Sequence, residues 1–363
     1  MPARLTHWVA LLLIVIAGLS RAAADDELST EVITVPFEIV RDPVLDDVEH
    51  RLYFTTSIDK RSTLVTWSVD PAERKSGVIA SWGNISRIAA LVDGDRFRLV
   101  GKVERHLVTF EEGQPVQVPC RSAGSFPYLM NRGLLSVSGA INNRQCWSFF
   151  NTEAARSGSV LNFVTESAVA GFDGRHVLTT SVHKDGSRLA ALWNVRTREK
   201  TDLDLPPDFH PLAGFAGKDE WLGARKPKQP DTNWSVWAWN AVNGDLTRLS
   251  AAEKHVIGPV ANPVYPRVAV CMQRYKSDEW PPRTAGRRNR IVQIIGVCDL
   301  VLLANGKSTA VAQDIPCATH GFSWSRSGRK LVIAEDADEP TKDGIVRIVD
   351  VSKLIGDQPS SDD

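Results

Sequence analysis

The feature that most restricts this chain is a short plan that recurs along it. Residues 322–335, FSWSRSGRKLVIAE, make an aromatic-flanked alternating run and a short apolar strand joined at a Ser-Gly turn, and GIVRIVDV at 344–351 adds a third run after a polar loop. The same order recurs upstream, as in FEIVRDP, RLYFTTS and STLVTWSV, and again in AGFDGRHVLTTSVHKDGSRLAALWNV. First turns fall near Glu49, Gly94, Gly133, Gly174, Gly217, Val264 and Gly328, at intervals of 39 to 47 residues and a last one of 64. Most third runs are followed by a turn and a fourth apolar segment, such as SGVIASW, TDLDL or STAVAQD. Units of four short strands at this period predict an all-β chain, a seven-bladed β-propeller filling residues 25–356 as one domain. The last copy lacks a fourth run, because only a polar tail at 357–363 follows it, whereas EVITVP at 31–36 is a spare strand. Pairing the two would close the ring and cover two strand edges.

Residues 1–24 stand outside this plan. Arg4 precedes an apolar run from Val9 to Leu19, and Ala22 to Ala24 offer a small-residue cleavage site. That is the pattern of a signal peptide, and the run is too short for a comfortable membrane span. The expected location is therefore secreted or periplasmic, with no membrane span after cleavage. Lys plus Arg and Asp plus Glu both number 43, so no overall field favours nucleic acid.

SWSRSGRKLVIAEDADEPTKDGIVRIVDV resembles the repeat of TolB-like and WD40-like propellers, with SRSG where those repeats usually carry Ser-Pro-Asp-Gly. The resemblance implies the architecture alone, since one fold hosts many functions. Phosphate-loop, dinucleotide-binding, HExxH and GxSxG motifs are all missing from the sequence.

Two constellations remain as candidate sites. His210, His255 and His320 each precede the first strand of three consecutive repeats, where they would converge near the mouth of the central channel. Three imidazoles with an open position suit a divalent transition metal. Oligogalacturonate lyase resembles this arrangement, which implies a metal-dependent, polysaccharide-lyase-like enzyme as one reading; solvated or structural histidines are the other. The second constellation is charge in the loops between second and third strands. Residues 225–233 carry three basic groups and one acid, residues 274–290 six and two, and residues 335–343 one and five. Lys226, Lys228, Arg283, Arg287 and Arg288, with Trp280 as a stacking platform, form the candidate ligand-binding set. Trp237 and Trp239 share a strand face and are expected to pack between repeats rather than hold a cofactor.

The leading expectation is a non-catalytic binding or scaffold protein for a partner protein or an anionic ligand, carbohydrate included. The alternative is the metal-dependent carbohydrate-active enzyme. Export would permit disulfides among the five cysteines. Cys271–Cys298 is the favoured pair, because it would staple the long insertion of its repeat, and Cys120–Cys146 is a second possibility.

Overall fold

A computed structural model describes residues 28–356, apart from 38–39, 71–75, 82–84, 94–95, 104–105, 112–113, 118–122, 132–133, 142–143, 152–160, 183–187, 226–233, 251–253, 276–296, 317–320 and 336–342. Among the described residues the strands form seven four-stranded antiparallel sheets. In chain order they span residues 41–81, 85–117, 123–164, 167–203, 209–248, 254–316 and 322–350, and are called sheets 1 to 7 here. Sheets 1 to 6 are simple meanders, each strand paired with the next. Sheet 7 has three strands of its own, and its third, Gly344–Asp350, pairs with Thr30–Val35 from Thr30↔Val349 to Val35↔Gly344.

The first strands of successive sheets lie against one another around a centre, and the first strand of sheet 7 returns to that of sheet 1. Between sheets 6 and 7 the Trp324 indole donates to the Val260 carbonyl at 3.3 Å. The molecule is a β-propeller. Its strands read as continuous apolar runs because both faces of most sheets are covered by neighbours. Lys330–Glu335 is buried at its four central residues, LVIA, which point alternately into two different clusters. Leu331 and Ile333 meet Val270 and Leu302 of sheet 6, while Val332 and Ala334 meet Leu52 and Phe54 of sheet 1.

Turn chemistry repeats with the strands. Asp46, Asp173 and Asn262 each end or follow a first strand and accept hydrogen bonds from the amides two and three residues on. A short acceptor side chain at this place satisfies amides that the ladder leaves open. Gly328 closes the equivalent turn of sheet 7 with φ of +70°, and a Cβ there would lie 2.5 Å from Asn262 Oδ1. Only glycine satisfies both conditions.

The seam between sheets 7 and 1 is polar as well as apolar. Asp46 also receives Arg326 Nη1 at 3.3 and 3.2 Å, with side chains 3% and 14% exposed. Ser323 Oγ donates to the Pro43 carbonyl at 2.5 Å, the Arg326 amide to the Leu45 carbonyl at 2.9 Å, and Ser327 bonds the Asp47 carboxylate through both its amide and its hydroxyl.

Two expectations change. The first strand of sheet 1 is Arg41–Asp46, displaced toward the turn from FEIVRDP at 37–43. A bulge between Arg41 and Val44, with Asp42 at φ of +48°, accommodates Pro43, which has no amide to give the ladder. The Cys271–Cys298 staple is absent. Cys271 is a buried thiol outside any disulfide, and its strand register sets it opposite Val301. Cys298 lies three residues further along, roughly 10 Å at strand rise, beyond the Cα separation that a disulfide spans. Cys146 is buried, and its suggested partner Cys120 lies outside the described residues, as does the leader at 1–24.

Burial pushes the Cys271 thiol up to about 12, against a small opposing contribution from Gln273. The native protein at pH 8 should therefore leave Cys271 unlabelled by iodoacetamide, and denaturant should release it; peptide mass mapping reads both states. Asp46→Ala should cost about 3 kcal/mol, because it strands the Arg326 guanidinium and removes a turn acceptor together. An unchanged denaturation midpoint would show that the seam is not held by this pair.

Candidate functional site

Antiparallel order gives the ring two unlike sides. Turns between first and second strands, and between third and fourth, lie on the hairpin side. Loops between second and third strands, with the connections from one sheet to the next, lie on the loop side. Of the sequence-predicted residues, His210 and the backbone of His255 stand at strand ends on the loop side.

His210 is the second residue of Phe209–Ala216 and His255 the second of Lys254–Ala261, so the two open adjacent first strands in equivalent places. Arg188, from the third strand of sheet 4, reaches across to donate to the Phe209 carbonyl at 3.0 Å and sits 3.2 Å from His210 Nδ1. A guanidinium can only donate, so Nδ1 accepts and the imidazole proton resides on Nε2. Burial and then the Arg188 charge hold the His210 pKa below the usual histidine value, with Glu166 and Asp208 opposing them. The ring also meets Trp234 edge-on, centroids 5.4 Å apart.

This tautomer bears on the metal set. Ligation through Nε2 needs its lone pair, which would send the proton to Nδ1, against the Arg188 donor. The side chain of His255, and all of His320, lie outside the described residues. Among the described residues no group of His, Cys, Asp or Glu side chains has the spacing of a metal centre. Lys226, Lys228, Trp280, Arg283, Arg287 and Arg288 also lie outside the described residues.

At the mouth of the first basic loop, the structure brings together groups whose association the sequence did not reveal. Arg225 and Arg248 place their guanidinium carbons 5.0 and 5.8 Å from the Trp237 ring. Arg225 is further held by the Pro207 carbonyl at 3.3 Å and Arg248 by the Ser250 carbonyl at 3.1 Å. The Trp237 indole donates to Ser235 Oγ at 2.8 Å, which fixes the ring. Across the same sheet face, Gly223 leaves room for Phe209, since a Cβ there would fall 2.3 Å from its Cζ. Trp239 is buried against Phe209 between sheets 4 and 5, as expected of this pair, and Trp237 stays partly open at the edge of the same cluster. On the loop side of sheets 3 and 4, three aliphatic side chains, Val164, Val182 and Leu189, are each at least half exposed.

Arginine held over an indole keeps outward-facing donors with little rotamer freedom left to lose. Arginine and tryptophan are the residue types enriched at the centres of protein interfaces. Basic count along 225–233 included Arg225, whereas Arg188, at the start of an ordinary strand, carried no sequence signal.

No protein-family profile matches the chain, and no curated protein sequence does. Solved structures match in shape. The β-propeller domain of the Trilobed protease from Pyrococcus furiosus aligns with a TM-score of 0.57 at 10% identity, over 88% of this chain and 95% of that one. The acylaminoacyl peptidase of Pyrococcus horikoshii aligns at 0.60 and 12% identity, over 87% of this chain and 52% of the peptidase, so the chain spans about half of that enzyme's length. TolB from Acinetobacter baumannii aligns at 0.43 and 10% identity over 82% of this chain and 80% of TolB. At these identities the likeness is one of architecture, and the chain is a β-propeller of the kind that the two Pyrococcus proteins contain.

Proposed function

We propose that the protein is an exported seven-bladed propeller, closed by its N-terminal strand, that binds an acidic partner protein or anionic ligand through its loop side without catalysing a reaction. The observation that carries this reading is the fixed Arg225–Trp237–Arg248 array, which stands where the chain enters the basic loop bearing Lys226 and Lys228. Seven four-stranded sheets and the Thr30–Val35 pairing support the blade count and the closure. The leader-like segment at 1–24 supports secretion or a periplasmic location. By sequence, the second basic loop would add Arg283, Arg287, Arg288 and Trp280 to the same binding set.

The metal-dependent reading asks more of the chain. His210 would have to leave Arg188 and change tautomer before it could ligate, at a position where burial and that arginine already disfavour added positive charge. The binding reading uses the side chains as they stand.

A ten-residue glutamate-rich peptide, titrated while Trp fluorescence is followed, tests the proposal. Binding should weaken steeply with added salt, because exposed charges are screened within about 8 Å at physiological ionic strength. Trp237→Ala should weaken it by about tenfold, since it removes the support of two guanidinium groups worth roughly 1 kcal/mol or more together. Equal affinity for a glutamine-rich peptide of the same length would overturn the reading. Protonated His210 would face Arg188, so the His210 contribution to stability is complete above the unfolded-state pKa, about 6.5, and fades as pH falls below it. An imidazole titration by NMR should therefore give His210 a midpoint below that of a histidine peptide.

A further inference from the structure

A cavity of about 800 Å³ opens on the hairpin side between sheets 5 and 6, a different side and a different seam from the loop-side array. Small side chains create it. Ala238 and Thr247 of sheet 5 and Ala304 and Gly306 of sheet 6 line the gap, and Phe215, Leu249 and Leu303 give it apolar walls. Its volume lies within the range of small-molecule sites, roughly 300–1,000 Å³.

The charges at its mouth fall into two groups. Glu220 of sheet 5 and Arg267 of sheet 6 neutralise one another through paired bonds of 2.8 and 2.5 Å across the seam. Asp245 and Lys307 remain, one from the third-to-fourth turn of sheet 5 and one from the equivalent turn of sheet 6. Asp245 takes a bond of 2.7 Å from the Asn243 amide on one carboxylate oxygen and keeps the other. Among the described residues Lys307 has no carboxylate partner. Asn240 lines the cavity with its oxygen committed to the turn amides of Val242 and Asn243, so its amide nitrogen is the group left to donate.

A simple anion here would gain Lys307 and face Asp245, and a simple cation would meet the reverse. A ligand that carries both charges at its two ends, with an apolar middle for Phe215, Leu249 and Leu303, satisfies all of them. We propose that this cavity binds a short free peptide, with its ammonium on Asp245 and its carboxylate on Lys307. The inference is independent of the loop-side function, since it uses other residues, another side of the ring and another ligand.

Isothermal titration of the full chain with the tripeptide Ala-Leu-Ala, its N-acetyl form and its C-terminal amide tests it. The free tripeptide binds in a saturable manner, and each cap weakens binding by about fivefold, the upper range for an exposed ion pair. Lys307→Gln abolishes the preference over the amide and keeps the preference over the acetyl form, and Asp245→Asn does the converse. Both side chains are exposed, so thermal unfolding should stay at the wild-type temperature in each variant. Ala238→Phe, which fills the gap, weakens all three peptides alike. The absence of saturable heat at millimolar peptide overturns the proposal, and so do variants that rank the three peptides as the wild-type protein does.

Discussion

The ring depends on the contact between sheets 7 and 1, which joins residues 280 apart in sequence from the two ends of the described chain. Here the buried Asp46–Arg326 pair, the Ser327–Asp47 bonds and the Ser323 hydroxyl on Pro43 act together with a shared apolar cluster. Arg326 also lies over the Phe97 ring of sheet 2, at 5.7 Å. One side chain thus ties three sheets together. A charged group can be stationed in such a place because Asp46 is already held by the amides of its own turn, so its carboxylate is fixed before the arginine arrives.

Much of the architecture was legible because turn chemistry and strand pattern reinforce each other. The Ser-Gly turn at 327–328, the Asp-Gly turn at 173–174 and the runs beside them announce hairpins from local physics alone. The displaced first strand was harder to read, since Pro43 interrupts the run and the ladder resumes only after a bulge between Arg41 and Val44. The disulfide expectation failed for a related reason. Sequence spacing put Cys271 and Cys298 at the ends of adjacent strands, but pairing register decides which residues face each other, and the turn lengths that fix register are not visible through a long insertion.

The candidate site was half legible. Basic loops are counted from sequence, and the Trp237–Trp239 alternation was enough to send Trp239 into the seam between sheets 4 and 5. What could not be read was the third dimension of the pattern: Arg225 and Arg248 come from two strands flanking Trp237, and Arg188 from a neighbouring sheet. Equivalent places for His210 and His255 did follow from the repeat. The role of His210 did not, because it depends on a guanidinium from a different sheet.

The pairing of Thr30–Val35 with Gly344–Asp350 has a kinetic side. The residues that meet there are among the first and the last of the described chain to be synthesised, so this ladder cannot form until nearly all of the described chain exists. Until then the partial ring carries two unsatisfied strand edges, and contacts this distant in sequence are slow to form. Sheets 1 to 6 can each assemble as they appear, since their ladders join neighbours in sequence. Formation of this ladder is therefore a late, slow event, and the interval before it leaves its strand edges exposed to edge-to-edge association with other copies.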